Sequence, residues 1–210
     1  MSTIRLLCIV LAVGLSWFGA ACDDGGGAGG GDADTDTDTD TDTDTDTDTD
    51  SGGEYPFDIS GMEWANVPGG LDVPTPETFE NKVIFVNCFQ SWCPGCHSEG
   101  IPLHKAVNAV YEDEPDYVGL YMQTVFEGYS TNTFANGLGT LTNTFDLVDP
   151  FYAHHPGEPP SSPHFMQEYD VGGTPWSVLF DRDGEMIVSF LSYDYTYYEL
   201  QDMIDAALAE

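Results

Sequence analysis

Two cysteines with two residues between them are the first candidates for chemistry in this sequence. Cys93 and Cys96 lie in the stretch SWCPGCH, residues 91–97. A C-x-x-C pair between a strand and a helix is typical of a redox-active dithiol, whereas C-x-x-C-H is also the attachment motif of c-type haem. The motif alone leaves both chemistries open, and in the haem alternative His97 would be the axial ligand.

The segments around the motif predict the elements that would hold the two sulfurs. Residues 82–89 are a short, nearly continuous apolar run rich in β-branched side chains, which indicates a buried central strand. Residues 96–111 have an apolar stripe at helical spacing, with a kink expected at Pro102, and residues 117–125 indicate a second strand. Strand, helix and strand in this order predict a right-handed parallel crossover.

A helix that starts at Cys93 would make this cysteine the more reactive of the two. Its sulfur would face unpaired backbone N–H groups and the positive end of the helix dipole, which both favour the thiolate. Cys96, one turn further on the same face, would lie within disulfide-bonding reach. We therefore expect Cys93 to attack a substrate disulfide and Cys96 to resolve the mixed disulfide. We expect no cofactor and no metal site.

The rest of the domain is predicted to add a helix, a loop and a hairpin. Residues 131–143 indicate a helix of weak propensity, and residues 150–163, with five prolines, indicate a loop. We expect His154, His155 and His164 to be solvated in this region, with a metal site as the alternative. The remaining elements are a short helix at 163–169, a strand at 176–180, a turn at 181–184, a strand at 185–191 and an amphipathic helix at 197–209.

Two separated motifs carry a resemblance to a known family. VNCFQSWCPGC, residues 86–96, is followed at residues 169–185 by YDVGGTPWSVLFDRDGE. Together they resemble the thioredoxin superfamily, and in particular the exported TlpA/ResA type of thiol–disulfide oxidoreductase, over residues 55–210. The resemblance implies an α/β domain of thioredoxin-like fold, with a central mixed sheet flanked by helices, and a redox-active disulfide between Cys93 and Cys96.

The resemblance also assigns roles to residues around the dithiol. It implies that Pro175 follows a cis peptide bond and faces the dithiol, and that Thr174 binds a substrate strand through its backbone. Trp92 is expected to cover one side of the sulfurs and to contact substrate. ResA-like proteins have a glutamate at the position of Glu99, which implies a partly buried carboxylate that exchanges a proton with the second cysteine, with an ordinary glutamate on the helix surface as the alternative. Thioredoxin itself has a buried aspartate where this chain has Asn87.

The first 53 residues predict export and a tether. Residues 1–21 combine one positive charge, an apolar run and small residues, as a signal peptide does. GAAC, residues 19–22, resembles a bacterial lipobox and predicts lipidation of Cys22, with simple cleavage as the alternative; acyl chains would anchor the protein to a membrane. Residues 22–53, with their Asp-Thr alternation, predict a disordered tether, and the thioredoxin-like domain is expected at residues 54–210.

The charge of the domain excludes one class of partner. Residues 51–210 hold 25 of the 37 acidic residues of the chain and three of its four basic residues, Lys82, Lys105 and Arg182. The resulting formal charge of −22 excludes nucleic acid. We expect a solvated acidic surface, as in salt-adapted proteins, with the attraction of a basic partner as the alternative.

These observations predict an exported thiol–disulfide oxidoreductase, lipid-anchored in the cell envelope or periplasm. The resemblance to the TlpA/ResA type implies a reductase, whereas the residues of the motif leave the oxidant direction open. The substrate would be a protein with a disulfide or a dithiol, and a membrane or exported redox partner would recharge the pair. Two alternatives stay open, a non-catalytic binding module of the same fold and a c-type haem protein. The strand before the motif weighs against haem, because small cytochromes c are mostly helical.

Overall fold

The computed structural model describes residues 55–210 of the 210-residue chain. The expectations for a signal peptide at 1–21, for lipidation of Cys22 and for a tether at 22–53 fall outside the described residues. Within the described part, no helix is long and apolar enough to cross a membrane.

The described residues form a six-stranded mixed sheet with helices on both faces. In chain order the strands are β1 (Glu63–Ala65), β2 (Val83–Phe89), β3 (Tyr117–Val125), β4 (Tyr152–Pro156), β5 (Trp176–Phe180) and β6 (Met186–Leu191). Their order in the sheet is β1-β4-β3-β2-β5-β6. The pairs β2–β3 and β3–β4 are parallel, whereas β1–β4, β2–β5 and β5–β6 are antiparallel. The predicted fold class, the parallel crossover and the antiparallel hairpin are thereby confirmed.

Within residues 55–210, five helices cover the sheet. They are α1 (Pro76–Phe79), α2 (Ile101–Tyr111), α3 (Phe134–Gly139), α4 (His164–Glu168) and α5 (Tyr197–Leu208). A 3₁₀ turn spans Pro68–Gly70, and π-helical turns span Cys96–Gly100, directly before α2, and Thr140–Thr144, directly after α3. The last predicted helix, at 197–209, corresponds to α5.

Strand β2 is the centre of the core, and all of its seven residues are buried. Alternate side chains of a strand point to opposite faces of the sheet. Ile84 and Val86 pack in the cluster that includes residues of α1 and α4, whereas Val83 and Phe85 pack in the cluster with residues of α2 and α5. Burial on both faces explains why this strand is a continuous apolar run rather than an alternating one.

The prediction of a loop at residues 150–163 is wrong for the first half of this segment. Residues Tyr152–Pro156 form β4, which lies between β1 and β3 and pairs with both. Pro150 precedes the strand and Pro156 is its last residue, so neither proline removes an N–H group from the middle of the ladder. The high proline content of the whole segment concealed five consecutive residues without proline, residues 151–155.

The segment predicted as one helix at 96–111 consists of a π-helical turn followed by an α-helix. The chain runs through the π-helical turn at Cys96–Gly100 before α2 begins at Ile101. Gly95, Gly100 and Ile101 all have helical backbone angles, so the chain is helical through both parts, and Pro102, which lacks an N–H group, directly follows the change of hydrogen-bond register. The helix predicted at 131–143 is likewise α3 followed by a π-helical turn.

Candidate active site

The dithiol lies directly beyond the carboxyl end of the central strand β2. In the turn that leaves the strand, the Cys93 N–H donates to Gln90 O at 3.1 Å. The His97 N–H donates to Cys93 O at 3.2 Å, which begins the helical geometry. The backbone around Cys93 is therefore fixed on one side by the strand and on the other by the helical turn.

The Cys93 sulfur is largely buried, yet its hydrogen bonds favour a negative charge. The residue is 5% exposed, and its sulfur accepts from the Cys96 N–H at 3.2 Å and lies 3.4 Å from Thr174 O. The Cys96 thiol, contacts with Thr174, and the N–H groups of Cys96 and Gly95 lower the pKa of Cys93 to about 6, against the opposing effect of burial. Near neutral pH Cys93 is therefore chiefly the nucleophilic thiolate.

Cys96 has the opposite environment. Both cysteines are free thiols, but Cys96 is 0% exposed and packs in a cluster with Phe89, Ile101 and Tyr121. The hydrogen bond that its thiol gives to Cys93, together with burial, raises the pKa of Cys96 far above its ordinary value. The pair thus keeps one proton on Cys96 and leaves Cys93 to react first.

Pro175 packs against the helical segment that carries the dithiol. The peptide bond between Thr174 and Pro175 is cis. A Cβ atom added to Gly95 would lie 3.1 Å from Pro175 Cδ, and one added to Gly100 would lie 2.4 Å from Pro175 Cβ. The proline ring therefore rests on the turn that carries both cysteines, and position 100 has no room for a side chain.

A buried hydrogen-bond network holds the segment before Cys93. Asn132 Oδ1 accepts from the Ser91 N–H at 3.0 Å, and Asn132 Nδ2 donates to Gln90 Oε1 at 2.9 Å. Gln90 Oε1 also accepts from Trp92 Nε1–H at 2.7 Å. Trp92 is 50% exposed, so its indole is open to solvent while its polar edge is fixed through Gln90.

The same network continues into the sheet. Gln123 on β3 donates from Nε2 to Ser91 Oγ at 2.7 Å. Asn132 O lies 3.0 Å from His154 Nε2, and His154 Nδ1 lies 2.9 Å from Glu63 Oε2. Sequence reasoning missed this network, and its one signal was a glutamine inside an otherwise apolar strand.

Two neighbours of the dithiol in the sequence, Glu99 and His97, have different surroundings in the structure. Glu99 is exposed, so the expected partial burial of its carboxylate is wrong, and its role in proton transfer stays a prediction. His97 Nε2 lies 2.7 Å from Ser91 O, and its ring packs against Phe145 with 5.4 Å between centroids. An imidazole held in this way, beside a fully buried Cys96, does not fit the axial ligand of a covalently attached haem.

The three histidines expected in solvent are bound within the fold. His154 and His155 are buried on β4. His164 Nε2 donates to Asp58 O at 2.9 Å, and its Nδ1 accepts from His155 Nε2 at 3.0 Å. Burial lowers the pKa of His155 to about 3, so this histidine is neutral. Residues 55–210 contain no group of three or more His, Cys, Asp or Glu side chains placed to hold a metal ion.

Asn87 lies in β2 beneath the dithiol and is fully buried. Its Nδ2 lies 3.4 Å from Trp176 O and 3.4 Å from Ser192 Oγ. A Cβ atom added to Gly100 would lie 3.4 Å from this nitrogen, which places the amide next to the turn that carries Cys96. Asn87 is uncharged, so it provides no carboxylate to take up the Cys96 proton.

Comparisons with known proteins agree with this geometry. A crystal structure described as that of a thioredoxin-like superfamily protein is 27% identical, with a TM-score of 0.61, over 70% of this chain and 92% of that one. A thiol-disulfide isomerase from Corynebacterium glutamicum is 25% identical, with a TM-score of 0.59, over the same shares of 70% and 92%. The domain belongs to the thioredoxin superfamily.

A third structure matches the thioredoxin-like domain in fold alone. It is a putative protein disulfide isomerase from Bacteroides thetaiotaomicron, 18% identical with a TM-score of 0.53, over 76% of this chain and 90% of that one. No protein-family profile and no curated protein matches the chain. The predicted resemblance to a redoxin-type domain is confirmed by the structural matches, on the fold and on the superfamily.

Proposed function

We propose that this protein is an exported, lipid-anchored thiol–disulfide oxidoreductase of the TlpA/ResA type that reduces protein disulfides. The observation that supports it is the unequal pair of sulfurs: Cys93 has a pKa of about 6 and faces Thr174, whereas Cys96 is buried and keeps its proton. The match to a thiol-disulfide isomerase supports the same class of chemistry. Export and anchoring rest on the sequence of residues 1–22.

Reduction would proceed in two exchange steps. The Cys93 thiolate attacks one sulfur of the substrate disulfide, a mixed disulfide forms, and the other substrate sulfur leaves as a thiolate that takes up a proton. Cys96 then loses its proton and attacks the Cys93 sulfur, which releases the second substrate thiol and leaves a Cys93–Cys96 disulfide. An exported or membrane dithiol partner must supply two electrons and two protons to restore the pair.

The substrate would be held by the backbone beside Pro175. Thr174 O lies 3.4 Å from the Cys93 sulfur, so a polypeptide that pairs with the Thr174 backbone would bring its own cysteine to Cys93. Trp92, which precedes Cys93 in the chain and is half exposed, would add an apolar contact. These two contacts agree with a protein substrate rather than a small thiol.

The acidity of Cys93 favours the direction of reduction. A more stable thiolate makes the disulfide a stronger oxidant, and the pKa of the first cysteine is about 7 in thioredoxin and about 3.5 in the oxidant DsbA. The value of about 6 for Cys93 is nearer to that of thioredoxin. Its dithiol would therefore hold its electrons somewhat more firmly than thioredoxin does but would still donate them to ordinary protein disulfides.

The test is the reduction potential of the pair, measured with the purified protein in glutathione buffers of stepped composition, with the free thiols trapped and counted. We expect a value nearer to about −270 mV, as in thioredoxin, than to about −120 mV, as in DsbA. Cys93→Ser should abolish exchange, and Cys96→Ser should accumulate a mixed disulfide with a protein substrate. A value near the second figure would make the protein an oxidant.

If the protein were a non-catalytic binding module, the same titration in glutathione buffers would give a different result. The cysteines would then fail to exchange with glutathione at any buffer composition, and Cys96→Ser would trap no substrate. The low pKa of Cys93 favours the catalytic form of the hypothesis, because a structural thiol gains nothing from ionisation at neutral pH.

A further inference from the structure

A groove next to the dithiol has no part in the exchange steps. It measures about 490 Å³ and lies between Trp92 and the surface formed by α3 and the π-helical turn that follows it. Ser91 and Trp92 line one side of this groove. It therefore begins within two residues of Cys93.

The groove differs in chemistry from the rest of the surface. Its lining includes Ala135 and Gly139, the hydroxyl groups of Thr131 and Thr140, and the amide of Asn143. None of the described residues that line it is charged, although residues 51–210 carry 25 acidic side chains. Hydroxyl and amide groups pair with the N–H and C=O groups of a polypeptide, and an indole face packs on small or apolar side chains.

We propose that this groove binds an uncharged, extended segment of the substrate polypeptide next to the disulfide under attack. The inference rests on the proposed function and adds that the enzyme selects disulfides by their neighbours. A charged segment of either sign would find no side chain of opposite charge among the residues that line the groove, and an acidic one would in addition be repelled by the domain, whose formal charge is −22. The polypeptide is the occupant because the groove is continuous with the segment that carries the attacking sulfur.

The walls of the groove are fixed before substrate arrives. Trp92 Nε1–H is held by Gln90 Oε1 at 2.7 Å, and Asn136 Nδ2 holds Thr131 O at 2.8 Å. Because these groups already have fixed positions, binding orders few side chains, which favours affinity. A rigid groove of this kind discriminates between flanking segments by shape and by charge.

Gly139 allows the groove to be filled without disturbing the dithiol. Its backbone is helical, with φ −62° and ψ −33°, and an added Cβ atom would meet only Asn143 Nδ2, at 3.5 Å. Gly139→Leu therefore projects a side chain into the groove. Gly139→Ala is the matched control, because it has the same backbone preference and leaves the groove open. Both substitutions raise helix propensity.

The experiment measures second-order rate constants of the full-length reduced protein with two disulfides. One is 5,5′-dithiobis(2-nitrobenzoate), and the other is a mixed disulfide of 2-nitro-5-thiobenzoate with a cysteine peptide flanked by four residues chosen from Gly, Ser, Thr and Tyr. We expect Gly139→Leu to react with the peptide about tenfold more slowly than Gly139→Ala, a difference of about 1.4 kcal/mol. Both variants should react with the small disulfide at the wild-type rate.

A charge placed in the groove gives a second, independent readout. Asn143→Lys should raise the rate with a Glu-flanked version of the peptide relative to the uncharged peptide, and Asn143→Gln is its control. Equal peptide rates for Gly139→Leu and Gly139→Ala, or an unchanged preference in Asn143→Lys, would overturn the groove assignment. If the wild-type protein reacts with neither disulfide, the proposed function itself fails.

Discussion

At the scale of single residues, Cys93 and Cys96 are identical side chains with opposite acidities. Cys93 receives hydrogen bonds, whereas Cys96 gives one to Cys93 and is surrounded by apolar side chains. The order of the two exchange steps follows from this difference, because the ionised sulfur is both the stronger nucleophile and the more exposed of the two.

Alkylation of Cys93 by iodoacetamide should follow its ionisation. The lowered pKa of about 6 means that the rate is constant above this pH and falls as the pH drops below it. The Cys96 thiol is the largest cause of the shift, so Cys96→Ala should move the midpoint upward by about one unit or more. Cys96→Ser keeps an O–H donor and should move it less. Rates measured by mass spectrometry between pH 4 and pH 10 would refute this cause if all three midpoints coincide.

At the scale of elements, the site depends on the close approach of two segments that are distant in sequence. The segment that carries the dithiol, which includes the π-helical turn Cys96–Gly100, meets the loop before β5 at Pro175. Gly100 permits the contact because its missing side chain leaves space for the proline ring. The conformation of Gly100 is ordinary helical backbone, with φ −59° and ψ −56°, so close packing and not backbone freedom requires glycine here.

Gly100→Ala should therefore destabilise the domain by about 1–3 kcal/mol, as overpacking of a core does. Gly173→Ala is the matched control from the opposing loop, because a Cβ atom at Gly173 meets nothing within 4 Å. The free energy of unfolding of both variants is measured by urea titration with tryptophan fluorescence. Equal stabilities would show that Pro175 moves aside at no cost. Gly100→Ala should also slow exchange, since Pro175 can no longer lie beside Cys93 in the same way.

The elements that the sequence predicted are those with a local signal. Strand β2 shows its burial in its own apolar run, and α5 shows its amphipathic face in its own periodicity. The π-helical turn at Cys96–Gly100 leaves no such signal, because it shifts the hydrogen-bond register without changing which residue types are apolar. The contact of Asn132 with His154 joins residues that are 22 positions apart. His154 lies on β4, which was expected to be part of a loop. Such a contact depends on the order of strands in the sheet, which the sequence does not state.

At the scale of the whole molecule, most of the negative charge is without a compensating partner. Lys82 Nζ donates to Pro115 O and Lys105 Nζ donates to Phe145 O, so both lysines are bound to carbonyl groups. Within residues 55–210, the pair Arg182–Asp116 is the one ion pair that a lysine or arginine forms. The folded domain therefore concentrates acidic side chains that the unfolded chain would hold further apart, and their repulsion opposes folding.

Salt should relieve this repulsion. Between 10 mM and 1 M NaCl the screening length falls from about 30 Å to about 3 Å. We expect the melting temperature to rise by about 5 °C over this range, which corresponds to roughly 2 kcal/mol for a domain of this size. The double variant Glu112→Gln, Asp113→Asn removes two exposed charges and should melt higher than wild type at 10 mM but not at 1 M. A melting temperature that stays constant or falls with salt would mean that the carboxylates are spaced widely enough to be stable without screening. The acidic surface would then serve solubility or encounter with partners, and its charge would cost the fold nothing.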